Sequence, residues 1–126
     1  MKRIFTLFSV IAIMSSFSTF SGIDEIIAAL KTGNATEIAK YFDNTVEITL
    51  PDKSNSYSKS QAEVVLRDFF TNNPVRKFDI LHKGEKGGSQ YCIGTLTTKN
   101  ASYRTTVFMK QKDNRQALQE IRFENP

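Results

Sequence analysis

The chain carries three different hydrophobic rhythms. In residues 23–33, "IDEIIAALKTG", Ile23, Ile26, Ile27 and Leu30 recur at helical spacing. Asp24 and Glu25 stand in the first turn, Lys31 stands in the last and Gly33 follows, which predicts a short amphipathic helix with a defined stop. Asn34-Ala35-Thr36-Glu37 then has the spacing of a capping box. It opens a second helix whose apolar side is Ala35, Ile38, Ala39 and Phe42. Asp43-Asn44 has turn chemistry, and Tyr41 is the member of this corner with least local reason to be there. Val46, Ile48 and Leu50 alternate with Glu47 and Thr49 and predict a strand with one buried face, ended by Pro51. "DKSNSYSKS" is polar and loop-like, with room for a short strand around Tyr57. Ser58 or Ser60 caps a longer helix with a stripe of Ala62, Val65, Leu66, Phe69 and Phe70, closed by Asn72-Asn73-Pro74.

After Pro74 the rhythm becomes period two. "VRKFDILHK", "SQYCIGTLTTK", "SYRTTVFMKQK" and "RQALQEIRFEN" read as four strands, separated by turns at "EKGG", Asn100-Ala101 and Asp113-Asn114. Tyr103, Thr105, Val107 and Met109 share one face of the third, with Arg104, Thr106, Phe108 and Lys110 on the other. Helices first and hairpins later predict an α+β domain, N-terminal helices packed on a curved antiparallel sheet.

Residues 1–21 follow another pattern. Lys2 and Arg3 precede the apolar run "IFTLFSVIAIM", and "SSFSTFSG" supplies small residues. That order is the one of a secretory signal peptide, cleaved before Gly22, with Ser16-Phe17-Ser18 as an earlier option. The run is shorter than the roughly 20 residues a membrane span needs. An uncleaved anchor is the other reading of the same run. A lipoprotein anchor needs a cysteine at the cleavage point, and the only cysteine is Cys92. The expectation is a secreted or periplasmic protein, residues 22–126 forming one domain with no stable membrane anchor after cleavage.

Composition narrows the function classes. Without Lys2 and Arg3, 15 basic side chains face 13 acidic ones, with the signs interspersed. No concentrated basic patch points to nucleic acid. The single cysteine forms no intramolecular disulfide, and in a strand-like run it reads as a small buried hydrophobe. His82 is the only histidine, so a multi-histidine metal site is ruled out, and no metal or cofactor is implied. "GEKGG" lacks the context of a phosphate loop. Asn34-Ala-Thr and Asn100-Ala-Ser match a glycosylation sequon but read as a helix cap and a hairpin turn.

The order of elements resembles the nuclear transport factor 2-like, or cystatin-like, superfamily, a cone-shaped fold. The resemblance rests on "IDEIIAALKTGNATEIAKYFDNTVEITLPD", on "YSKSQAEVVLRDFFTNNP" and on the meander "FDILHKGEKGGSQYCIGTLTTKNASYRTTVFMKQKDNRQALQEIRFE". More narrowly, the size, leader and meander are similar to a family of small secreted bacterial proteins, the domain of unknown function number 4783. The superfamily includes ketosteroid isomerases, polyketide cyclases and non-catalytic binding modules, so function has to be argued from the site.

Two readings follow. In the first, the domain is non-enzymatic and binds a small apolar ligand or a protein partner through its pocket or the concave face of the sheet. Tyr41, Tyr57, His82, Tyr91 and Tyr103 are then the candidate contacts. Tyr91 and Tyr103 are placed on the concave face, and His82 with Phe78 and Ile80 on an apolar one. In the second, an isomerase- or cyclase-like enzyme uses His82 or Asp43 as its acid–base group. The second reading requires two titratable groups converging on one enclosed pocket. Asp79, between Lys77 and Lys83, reads as a solvated surface carboxylate. Threonines 95, 97, 98, 105 and 106 make a polar β-surface able to pair with a second copy as a homodimer or to stay wet.

Overall fold

The computed structural model describes residues 22–126. The expected signal peptide, residues 1–21, lies outside the described residues. The elements run α1 (Gly22–Leu30), α2 (Ala35–Ala39), β1 (Phe42–Leu50), β2 (Lys53–Ser58), α3 (Lys59–Asn72), β3 (Val75–Lys86), β4 (Ser89–Thr98), β5 (Ser102–Lys112) and β6 (Arg115–Glu124).

The helix ends follow their local chemistry. Gly33 takes the left-handed φ of +67° that closes α1, and Asn34 N–H returns to the Ala29 carbonyl at 2.9 Å. The Asn34 side chain accepts Glu37 N–H at 3.1 Å, which starts α2. Ser58 accepts Gln61 N–H and starts α3. The Asn73 amide donates to the Phe69 carbonyl at 3.0 Å and ends α3.

The strands form one six-stranded curved sheet in the order β2-β1-β6-β5-β4-β3. Every pair is antiparallel except β1–β6, which is parallel. The polar stretch after Pro51 is a full edge strand, with Tyr57 opposite Val46. The helices cover one face: α1 lies over β3, β4 and β6, and α3 over β1 and β2.

Side-chain alternation sorts the two faces. One inner row runs Ile48–Ile121–Val107–Cys92 across four strands, all of it buried. Above it α3 delivers Phe69 and Phe70. Phe69 stacks on Phe123 with ring centres 4.5 Å apart, Phe70 meets Phe123 edge-on, and Phe69 meets Tyr103 edge-on. Offset and edge-to-face contacts are the favoured aromatic geometries, and each buried large apolar side chain contributes about 1.5–3 kcal/mol. The space between helices and sheet is therefore occupied by the protein's own side chains.

Among the described residues no helix covers the outer face. Its two central rows are Glu47–Glu120–Phe108–Tyr91–Gly84 and Thr49–Arg122–Thr106–Ile93–His82. Phe108 is 39% exposed there, and on the edge strand β3 Leu81 is 63% exposed.

Candidate functional site

The six residues singled out from the sequence do not line one cavity. Tyr103 is on the covered face as expected, but it is part of the aromatic core. Its hydroxyl donates to Asn73 Oδ1 at 3.1 Å, and Asn100 of the β4–β5 turn donates to the same oxygen. Tyr57 borders an open cleft between β2 and α3 with Val64 and Val65. Tyr41 borders a different cleft, of about 420 Å³, beside Gly22, Lys40 and Arg115. Burial pushes the Tyr41 hydroxyl up to about 12, and hydrogen bonding to Glu25 and the charges of Glu25 and Glu37 add to the rise.

His82 and Tyr91 correct the expectation of facing. Ile80 pairs with Gly94, but His82 pairs with Ile93, so Leu81 is inserted as a β-bulge. One extra residue reverses the alternation. His82 turns away from Phe78 onto the outer face, and Tyr91 lies on that face too, opposite Tyr103. There His82 Nε2 and the Tyr91 hydroxyl are 2.6 Å apart. Gly84 makes this contact sterically feasible, since a Cβ at residue 84 would come within 2.6 Å of the Tyr91 hydroxyl and 2.8 Å of its ring. The bulge, the glycine and the tyrosine together hold the imidazole in place on an open surface.

Asp43 is neither a turn residue nor a pocket residue. It belongs to β1 and is buried. Its carboxylate accepts Asn44 N–H at 2.8 Å and the Lys112 ammonium at 3.1 Å through both oxygens, and it accepts the Gln119 amide as well. Gln119 reaches it because β6 bulges there: Phe108 pairs with Glu120 and Met109 with Leu118, leaving Gln119 as the extra residue. Burial by itself raises this carboxyl. The hydrogen bonds from Asn44, Lys112 and Gln119, with the charge of Lys112, outweigh it and hold Asp43 below the usual aspartate range. A carboxylate with three donors is a poor proton acceptor, and sequence spacing gives no sign of partners 69 and 76 positions away.

Cys92 is buried in the inner row, and burial drives its thiol up to about 12. Asp79 is exposed and paired with Lys77 at 3.4 Å. Asn34 and Asn100 are engaged as cap and turn residues. Among the described residues no group of three or more His, Cys, Asp or Glu is placed to hold a metal ion, and no helix is long and apolar enough to cross a membrane.

Helices over one face of a bent sheet, with the other face open, define a nuclear transport factor 2-like α+β domain. An NTF2-like protein of unknown function from Cytophaga hutchinsonii has this fold at 12% identity, with a TM-score of 0.59 over 84% of this chain and 90% of that one. Within that class the chain belongs to the DUF4783 family, a domain of unknown function, whose model matches residues 23–124. A crystallised DUF4783 protein from Bacteroides uniformis is 31% identical, with a TM-score of 0.79 over 82% of this chain and 95% of that one. Another from Bacteroides ovatus is 31% identical, with a TM-score of 0.77 over 81% and 93%. No functionally curated protein matches the chain.

Proposed function

We propose that this is an exported, non-catalytic domain that docks a protein partner on the outer face of its sheet. The observation that carries the reading is the division of the molecule into a filled inner side and an open outer side. Phe69, Phe70, Tyr103 and Phe123 occupy the space where a small apolar ligand would have to sit. On the open side, Phe108, Tyr91 and Ile93 are neighbours across β4 and β5, with Leu81 exposed on β3. Arg122, Glu120 and Glu124 surround them with charge. An aromatic centre within a polar rim is the composition of a protein-binding patch. The enzyme reading loses support because its two acid–base candidates are apart: Asp43 is saturated by donors on β1, and His82 is exposed on β3.

A photo-crosslinking amino acid at position 108, in the full chain expressed in its own host, tests the reading. The expected result is a discrete adduct that weakens when Leu81 is changed to Asp. An adduct of twice the chain mass identifies a second copy as the partner. No adduct, or one as strong from position 55 on the far edge strand, overturns the proposal.

A further inference from the structure

The sheet supplies an acceptor to the N-terminus of α1. The first N–H groups of a helix have no acceptor within it. Gln90, buried on β4, fills that need at Ile23, whose N–H donates to its Oε1 at 3.1 Å. A second glutamine stands beside the preceding residue. Gln116 of β6 packs on Gly22 so closely that a Cβ there would lie 3.0 Å from Gln116 Cβ and 3.1 Å from the Met109 methyl. The Gln116 amide donates to the Gly88 carbonyl at 2.8 Å, while its Oε1 is a buried acceptor with no donor among the described residues. A buried acceptor without a partner is unfavourable and calls for an explanation. The cleft of about 420 Å³ opens at this point, bordered by Gly22, Gln116, Tyr41 and Asn114.

We infer that Gly22 is the N-terminal residue of the working protein, and that its free α-amino group donates to Gln116 Oε1. This rests on the exported reading and makes it specific. A peptidase hydrolyses the Ser21–Gly22 bond: water adds, Ser21 keeps the new carboxyl group, and Gly22 keeps the amine. An internal amide has one N–H fixed in the peptide plane. A terminal amine has at least two and rotates freely, so it can point a donor in directions that the amide cannot. Glycine fits closely here, since a Cβ would require the Gln116 and Met109 side chains to give way by a few tenths of an ångström. The match to the family from residue 23 onward agrees with a domain that starts here.

The experiment has two arms. The full chain is expressed in a bacterium with an outer membrane, and the intact mass of the recovered protein is measured. A mass for residues 22–126 is expected. An uncleaved chain overturns the export reading, whereas cleavage at another bond overturns this inference and leaves export standing. In the second arm, the protein starting at Gly22 is compared with one that retains Ser21. Retention is expected to lower the melting temperature by about 4 °C, the loss of one buried hydrogen bond in a domain of this size. The difference should vanish in Gln116→Met and persist in Gln116→Glu, which keeps an acceptor. An equal difference in all three backgrounds, or none in the wild type, overturns the amine contact.

Discussion

Lys112 Nζ lies 3.1 Å from each carboxylate oxygen of Asp43, joining the end of β5 to the start of β1 across 69 positions of sequence. These two strands are not neighbours, since β6 runs between them. Gln119, from the bulge in β6, contacts the same carboxylate. Three strands thus meet at one buried anion, at the place where the parallel β1–β6 pair breaks register.

Asp43→Asn should destabilise the domain by about 1–2 kcal/mol at pH 7, the scale of a hydrogen bond to a charged group, reduced because Lys112 is 47% exposed. The folded-state carboxyl is held below its unfolded value. Its contribution is therefore complete above the unfolded value near 4 and is lost as pH falls through the folded one. Chemical denaturation at several pH values checks this: the gap between wild type and Asp43→Asn should be constant from pH 8 to about 5 and close below 4.

Tyr91 and His82 give a different kind of outcome. Their bond is on the surface, so Tyr91→Phe should change stability by no more than about 0.5 kcal/mol. Gly84→Ala puts a methyl where the Tyr91 hydroxyl lies, and the ring end can move aside. Both variants should shift the His82 imidazole resonances by NMR while leaving those of Phe123 in place. Unchanged His82 resonances in both would mean the contact does not persist in solution.

Inside and outside phenylalanines should separate cleanly. Phe123→Ala removes a fully buried ring stacked on Phe69 and is expected to cost about 3–5 kcal/mol. Phe108→Ala, on the open face, should stay within about 1 kcal/mol. Urea unfolding of the two variants gives both numbers.

Cys92 should be inert in the folded protein. With its thiol pushed up to about 12 and no exposure, thiolate-directed labelling at pH 8 should wait for unfolding. Labelling within minutes under native conditions would place the residue elsewhere.

The helices were legible in the sequence because each carries its own local signals: Asn34 and Ser58 as caps, Gly33 as a stop, an apolar stripe on each. The inner face of β5 was legible for the same reason, a strict alternation from Tyr103 to Met109. The facing of His82 was not. A bulge at Leu81 reverses the alternation, and nothing in "FDILHK" marks which residue is inserted. The role of Asp43 was hidden too, because Lys112 and Gln119 are brought to it only by the order of strands in the sheet. Strand β2 carries only a weak signal, since Ser and Asn have little β preference and its pairing with β1 supplies what composition does not.

Native mass spectrometry of the protein purified from its own host tests the central claim most directly, that the working surface is the outer face and the interior is full. The account predicts a chain with no small molecule retained, alone or in a protein complex that dissociates on Phe108→Glu. A small apolar molecule held at one per chain, and unaffected by Phe108→Glu, would contradict it.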